Sequence, residues 1–140
     1  MTPPDHLQFL SPPAVASIPG FSPVVTVTGG HTIYLSGQVA LDGSGSLVGR
    51  GDFRAQAQQV FENIKAALAA AGADFSHVVK LNIYLLDRAN LPALREVRDR
   101  FVNTAQPPAS TLLVVQGLAQ EDFLLEVEAI ASLQEDASHP

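Results

Sequence analysis

The alternation of hydrophobic and polar positions begins at Val24 and predicts strands first. Residues 24–28 read VVTVT and residues 31–41 read HTIYLSGQVAL, and both runs are rich in β-branched and aromatic side chains. Gly29 and Gly30 stand between them as a turn. The pattern therefore predicts a β-hairpin.

In two later segments, the apolar residues instead recur with the period of an amphipathic helix. Asp52 is an N-cap candidate for the first helix, and Gly72 suits the position just past its end. Asn90 is predicted to cap the second helix, which has Pro92 in its first turn and is stopped by Pro107. Apolar residues recur every three or four positions: Phe53, Ala57, Val60, Phe61, Ile64, Leu68 and Ala71 in the first helix, and Leu91, Leu94, Val97, Phe101 and Val102 in the second.

Three further segments, 77–87, 111–116 and 123–133, predict strands. The last one has an apolar side chain at every second position, as a half-buried strand requires. The predicted order is β-β-α-β-α-β-β. The economical arrangement of these elements is a single α+β domain over residues 24–133, with one sheet and two helices on one of its faces.

The two ends of the chain are expected to lie outside this domain. Residues 1–23 hold six of the ten prolines, which fix φ and remove backbone donors. We expect an extended proline-rich arm that runs across a surface. Residues 134–140 are expected to form a disordered C-terminal tail.

Two strands of the predicted sheet are apolar on both faces. These are Ile83–Leu86 and Leu112–Val115, whereas two helices of this size cover only one face of a sheet. A large exposed apolar patch marks an interface, so the second face is expected to be covered by further copies of the chain in a homo-oligomer.

Composition narrows the classes of function. The net charge is −6 with eight Lys and Arg in 140 residues, so we expect no nucleic-acid partner. The chain has no cysteine, no signal-peptide pattern and no apolar run long enough for a membrane span. We expect a cytoplasmic protein without a membrane partner.

Few side chains have the spacing of a catalytic, metal-binding or phosphate-binding motif. The four histidines are scattered, so we expect no metal site, and the glycine-rich stretch 43–51 lacks the ending of a phosphate loop. Glu126 and Glu128 share one face of a strand, about 6.5–7 Å apart, and suit general acid or base work if they are desolvated. The alternative is a solvated strand face.

The second helix carries three arginines. Arg95, Arg98 and Arg100 are interpreted as a solvated face opposite Val97 and Phe101. Arg95 lies near the N-terminal end of that helix, where an anion is stabilised.

Several segments together resemble one family. They are GFSPVV, the SGQ of 36–38, the QA and NI pairs of the first helix, AAAGA, PPAST and EVEAIA, spread over residues 20–133. This combination resembles the Rid family, also called YjgF-type or reactive-intermediate deaminase proteins and formerly endoribonuclease L-PSP. A nuclease activity finds no support in an acidic chain without metal ligands.

The resemblance implies a chorismate-mutase-like α+β fold that forms a homotrimer, with a small-molecule site in each intersubunit cleft. It also implies hydrolysis of an imine or enamine, such as 2-aminoacrylate, to a 2-keto acid and ammonia, without a cofactor or metal. Carried over residue by residue, it places Phe21 as the aromatic side chain of the cleft and Ser36 and Gly37 in its lining. Glu128 is placed as the group that positions or activates the attacking water.

The PPAST stretch departs from the family. Deaminase members read P-A-R-S or P-A-R-T, with the arginine on the substrate carboxylate, and matching Pro108-Ala109 to P-A puts Ser110 at the arginine position, followed by Thr111. Loss of the guanidinium is expected to cost about 1.5–3 kcal/mol of carboxylate binding. Arg95 is a candidate for the same anion from another wall.

Two hypotheses follow. In the first, the chain is a hydrolase for an imine or enamine, though not an efficient 2-aminoacrylate deaminase, with Ser110 and Thr111 donating hydrogen bonds in the cleft. In the second, the chain is a non-catalytic trimer that binds a metabolite or a protein in that cleft.

Overall fold

The computed structural model describes residues 1–135. The elements follow in the order β1 (Leu7–Leu10), β2 (Val24–Val27), β3 (His31–Gln38), α1 (Phe53–Ala70), β4 (Val78–Leu85), α2 (Leu91–Arg98), β5 (Ala109–Val114) and β6 (Leu125–Leu133). No helix among the described residues is long and apolar enough to cross a membrane. Of the predicted tail, residues 136–140 lie outside this range.

The main sheet has four strands in the order β3-β6-β4-β5. β6 is antiparallel to both of its neighbours, whereas β4 and β5 are parallel because α2 carries the chain back across the sheet between them. Both helices pack on one face of this sheet and share a single hydrophobic core with it. The predicted α+β fold, with two helices on one face of a sheet, is confirmed, although β2 lies outside that sheet.

The predicted hairpin is wrong. β2 pairs with β1 in a separate two-stranded sheet, with Leu7 opposite Val27, while β3 pairs with β6, with Leu35 opposite Ala129. The glycine turn is present, with a φ of 70° at Gly29, but it leads the chain from one sheet into the other. β1 was not predicted, because it lies within the proline-rich arm.

The helix ends follow their sequence signals only in part. Asp52 caps α1 as predicted, since its Oδ1 accepts from the Ala55 N–H at 3.1 Å, and Gly72 adopts a φ of 79° just past the end. Asn90 makes no side-chain cap bond at α2, which corrects that prediction. The reason is a 3₁₀ turn directly before α2, in which Asp87 caps the N–H of Ala89 at 2.9 Å.

The core lies between the helices and the sheet. Phe61 of α1 is fully buried, and its ring lies 5.5 Å from that of Phe101 and 6.3 Å from that of Phe75. The predicted alternation of the last strand is confirmed, because every second residue from 123 to 131 is buried: Phe123, Leu125, Val127, Ala129 and Ala131. This register fixes which side chains of β6 point to the opposite face.

The side chain of Asp74 caps a 3₁₀ turn between α1 and β4, and its ionisation makes the free energy of unfolding depend on pH in the acid range. Burial raises the pKa of Asp74, but hydrogen bonds from the hydroxyl and N–H of Ser76 outweigh it and hold that pKa below 3.8. His77 accepts the N–H of Asp74 at Nδ1, 3.0 Å away, which completes a reciprocal capping box. Because the pKa of Asp74 is lower in the folded protein than in the unfolded chain, its ionised carboxylate stabilises the fold at pH values above the unfolded-state pKa. This stabilisation is lost as the pH falls through the folded-state pKa.

Replacement of Asp74 by alanine is therefore expected to lower the free energy of unfolding by about 0.5–1 kcal/mol at neutral pH. The difference from the parent should shrink as the carboxyl becomes protonated, which urea unfolding at a series of pH values measures. A difference that persists undiminished at about pH 2.5 would contradict the role of the ionised cap.

Candidate functional site

The face of the main sheet opposite the helices carries most of the polar side chains of the strands. We call it the Glu128 face, and it comprises Tyr34, Ser36, Lys80, Asn82, Tyr84, Thr111, Leu113, Glu126, Glu128 and Ile130. Each of these residues alternates along its strand with a side chain that faces the core. Tyr34 and Leu113 on this face are exposed in the single chain, Tyr34 to 77%.

Glu128 is held at the centre of this face by two donors from β4. Its Oε1 accepts from the Asn82 amide at 3.1 Å and from the Tyr84 hydroxyl at 2.9 Å. Asn82 lies directly opposite Glu128 in the antiparallel pair, and Tyr84 lies opposite Glu126. Neither donor was predicted from the sequence, although both alternate with buried residues such as Leu81 along β4.

The phenol of Tyr84 is kept protonated by its neighbours. The hydrogen bond to Glu128, burial and the charges of Glu128 and Glu126 all raise the pKa of Tyr84 above its usual value of 10.0. Tyr84 is therefore a donor to Glu128 throughout the neutral range.

The predicted lining residues Ser36 and Gly37 lie at the edge of the same face, beside Glu126. A Cβ on Gly37 would come within 2.8 Å of the Glu126 carboxyl carbon. Any larger residue at this position would displace the carboxylate. The glycine of the SGQ stretch therefore gives Glu126 its place at the end of the Glu128 face.

Lys80 and Thr111 occupy the other side of the face. The Lys80 ammonium donates to the Thr111 hydroxyl at 2.8 Å. In the parallel β4–β5 pair, Lys80 lies opposite Ala109 and Asn82 lies opposite Thr111. Thr111 thus lies on the same face as Glu128, with Asn82 between them, whereas Lys80 was not among the predicted residues.

A second concave region lies on the helix side, between α2, β5 and the N-terminal arm. This cavity of about 310 Å³, the Arg95 pocket, is lined by Phe21, Arg95, Ser110, Leu112 and others. Ser22 fixes the arm there, because its hydroxyl donates to the Pro107 carbonyl and its N–H to the Pro108 carbonyl.

Arg98 corrects the prediction of a solvated arginine face on α2. It is only 7% exposed, lines the Arg95 pocket and pairs with Asp99 at 3.0 Å. Gly20, with a φ of 104°, packs against its guanidinium so closely that a Cβ there would lie 2.3 Å from Nη2. Arg95 and Arg100 are exposed, as expected.

The seven predicted site residues thus divide into two groups within one chain. Ser36, Gly37, Thr111 and Glu128 belong to the Glu128 face, whereas Phe21, Arg95 and Ser110 line the Arg95 pocket. Adjacent residues of a strand point to opposite faces, so Ser110 and Thr111 separate at this step. The structure does not bring Ser110 and Glu128 together within a single chain.

Comparisons with known proteins agree on one family. The family model described as Endoribonuclease L-PSP matches residues 12–133. Protein DfrA of Myxococcus xanthus is 41% identical over 84% of this chain and 88% of its own length, and the 2-iminobutanoate/2-iminopropanoate deaminase of Dermatophagoides farinae is 34% identical over 89% and 94%.

A solved structure gives the same result for the fold. The crystal structure of a protein of unknown function of the conserved Rid protein family, from Yersinia pestis, superposes with a TM-score of 0.85 at 39% identity. The superposition covers 91% of this chain and 99% of that one.

Proposed function

Because the chain belongs to the Rid family, we propose that it hydrolyses a small imine or enamine to a carbonyl compound and ammonia. A relative that matches most of this chain is named 2-iminobutanoate/2-iminopropanoate deaminase, which supports deamination as the general reaction. The identity of the substrate and the use of Glu128 are part of the proposal.

The observation that carries the proposal is the way Glu128 is held. Both described hydrogen bonds to its carboxylate, from Asn82 and Tyr84, end on Oε1. Within residues 1–135, no side chain or backbone group donates to Oε2, which is therefore the oxygen available to a water molecule. A carboxylate fixed on one oxygen and free on the other is suited to orient water and accept its proton.

The reaction is an addition followed by an elimination. Water adds to the C=N carbon of the protonated imine while Glu128 Oε2 takes one of its protons, which gives a neutral tetrahedral aminoalcohol. That proton then passes from Glu128 to the nitrogen to make an ammonium leaving group. As the C–N bond breaks and ammonia leaves, Glu128 Oε2 takes the hydroxyl proton, the C=O bond forms, and Glu128 finally loses this proton to solvent. An enamine enters the same path after its carbon is protonated to the imine by solvent, so the balance needs water alone and no cofactor.

We further propose that the site is completed between copies of the chain. The two groups of predicted residues lie on separate surfaces, and the Glu128 face exposes Tyr34 and Leu113, which a neighbouring copy would cover. In a homotrimer with a heterologous, closed arrangement, the Arg95 pocket of one copy lies beside the Glu128 face of the next. Phe21 and Arg95 then form a second wall over Glu128.

A second candidate function is a non-catalytic trimer that binds a metabolite or a protein in the same cleft. The observation that favours it is the stretch 107–111, which reads PPAST and has no arginine. A parent protein that binds a small oxo acid but releases no ammonia from any imine would support this candidate.

Mixed assemblies test both the chemistry and the shared cleft. The parent is expected to accelerate ammonia release from 2-iminobutanoate generated in place by an amino-acid oxidase, above the spontaneous rate. Glu128→Gln and the double variant Phe21→Ala/Arg95→Ala should each be inactive alone. Refolded together in equal amounts, they should regain about a quarter of the parent sites, since a site needs an intact face from one copy and an intact pocket from its neighbour.

Light scattering on each sample provides the control for assembly. Mixed trimers without recovered activity would show that the cleft is not shared between copies. A stable monomer would contradict the trimer itself.

A further inference from the structure

The two carboxylates of the Glu128 face have no cation beside them. Of the ion pairs formed by residues 1–135, none includes Glu126 or Glu128. The described partners of Glu128 are the Asn82 amide and the Tyr84 hydroxyl, which are both neutral. Because the two glutamates alternate along β6, they project from one face about 6.5–7 Å apart. Two negative charges at this spacing attract a cation once water is excluded from the face.

The cation that this face does carry lies at its far end. Lys80 is the one Lys or Arg in the four strands of the main sheet. It lies opposite Ile130, whereas Glu126 lies opposite Tyr84, so Lys80 is four residues of β4, or roughly 13 Å, from the position beside Glu126. Its ammonium donates to Thr111 of β5, on the side away from β6. The Glu126 end of the face therefore stays negative.

The arginines of α2 do not supply a cation at the Glu126 end within the chain. Arg98 is buried, pairs with Asp99 at 3.0 Å and packs against Gly20. Arg95 lines the pocket on the other surface. A carboxylate placed beside Glu126 would thus meet two like charges and no cation from the described part of its own chain.

The charge of the substrate follows from its reacting form. Water adds to the protonated imine, whose C=NH₂⁺ group is a cation with two N–H donors. In a 2-imino acid a carboxylate is bonded to the same carbon, so bringing that carbon to the water of Glu128 also brings a third negative charge to the face. An imine derived from a primary amine has hydrogen or an alkyl group at that place and stays a cation.

We propose that the substrate is an amine-derived imine without a carboxylate, and that Glu126 accepts an N–H of its iminium group while Glu128 acts on the water. This inference rests on the proposed function and names its substrate class. The reaction converts R–CH=NH₂⁺ and water to an aldehyde, ammonia and a proton. The spacing of the two carboxylates suits it, because the nitrogen and the carbon of one C=N bond lie between them.

The first measurement compares two stable probes of the same shape by NMR titration. Propionamidinium is a planar cation that mimics the iminium group, and propionate is its anionic counterpart. The parent is expected to bind the cation at least about tenfold more tightly than the anion. Glu126→Gln keeps the shape of the side chain and removes its charge, so it should weaken binding of the cation roughly ten- to a hundredfold. Glu121→Gln removes a carboxylate from the exposed loop before β6 and should bind both probes as the parent does.

Two further variants separate the charge of Glu126 from its position. Gly37→Ala keeps the charge but displaces the carboxylate, since the new Cβ would lie 2.8 Å from its carboxyl carbon, and it should also weaken binding of the cation. Lys80→Met removes the positive charge at the far end and should tighten binding of the cation by no more than a few fold. Propionate bound more tightly than propionamidinium, or cation binding unchanged in Glu126→Gln, would overturn the proposal.

Turnover of two matched imines tests the substrate class directly. Propan-1-imine, formed from propylamine by a flavin amine oxidase, differs from 2-iminobutanoate only by the carboxylate on the C=N carbon. Relative to spontaneous hydrolysis, the parent should favour propan-1-imine by about tenfold or more in kcat/KM. Glu126→Gln should raise the KM for propan-1-imine with little change in kcat, because it removes binding that the ground state and the transition state share. A preference for 2-iminobutanoate that disappears in Arg95→Ala would overturn the substrate class.

The outcomes that refute this inference differ from those that refute the proposed function. Glu126-dependent binding of propionamidinium without ammonia release from either imine would refute the hydrolase and leave the cation site standing. A larger acceleration for 2-iminobutanoate than for propan-1-imine would keep the hydrolase and refute the amine-derived substrate.

Discussion

Replacement of Glu128 by glutamine is expected to lower kcat for imine hydrolysis by about 10²–10⁴-fold, with little change in KM. Glutamine has nearly the same shape, and its carbonyl oxygen can still accept from Asn82 and Tyr84, so the face should stay ordered. It cannot accept a proton from water. The loss therefore falls on the chemical step and not on substrate binding.

Two controls bracket this result. Glu121→Gln removes a carboxylate from the exposed loop before β6 and should leave kcat unchanged. Glu126→Gln tests the alternative base, because Glu126 shares the face and lies two residues away. A large loss with Glu126→Gln and none with Glu128→Gln would reverse the assignment.

The pH profile offers a second check on the same site. Because the pKa of Tyr84 lies above 10.0, its phenol remains protonated and its donation to Glu128 persists at neutral and mildly basic pH. A basic limb in kcat below about pH 9 that disappears in Tyr84→Phe would contradict this picture.

The helices and the last strand could be predicted because their signals are local. The apolar spacing from Phe53 to Leu68 repeats the period of a helix, and the alternation of residues 123–131 repeats that of a strand. In both cases the residues that carry the pattern are those that the structure buries. Periodicity thus located the core and, through β6, the orientation of Glu128.

Strand partners could not be predicted in the same way. The Gly29 turn has the composition of a hairpin, yet β2 pairs with β1, which lies 14 residues or more before it in the proline-rich arm. Pairing between strands is a long-range choice made by burial and register, and a local run of β-branched residues does not encode it.

The arrangement of the site residues in space could not be predicted from the motif for a related reason. The motif names Ser110 and Thr111 together, but adjacent residues of a strand point to opposite faces, so within one chain only Thr111 shares a face with Glu128. Lys80, on that same face, was overlooked. Because residues 83–86 were interpreted as apolar on both faces, the two polar side chains that β4 presents to Glu128, those of Asn82 and Tyr84, were not predicted.

The buried side-chain amide of Gln56 links the loop before α1 to the loop before β6. It is fully buried, and its Nε2 donates to the carbonyls of Gly49 at 3.1 Å and Asp122 at 2.8 Å, while its Oε1 accepts from the Leu124 N–H at 2.9 Å. One side chain of α1 thus satisfies three backbone groups, including the N–H just before β6 begins. The position of Glu128 depends on that strand.

Replacement of Gln56 by leucine is expected to lower the free energy of unfolding by about 2–4 kcal/mol, because the volume is kept but three buried backbone groups lose their partners. Denaturant unfolding at a fixed chain concentration measures the loss, since an oligomer makes stability concentration-dependent. Gln58→Leu is the matched control on the same helix: Gln58 bonds only to the side chains of Glu62 and Arg100 and should cost less than about 0.5 kcal/mol. Equal losses of unfolding free energy in the two variants would contradict the role of the three backbone hydrogen bonds. The loops before α1 and β6 would then be held by packing alone.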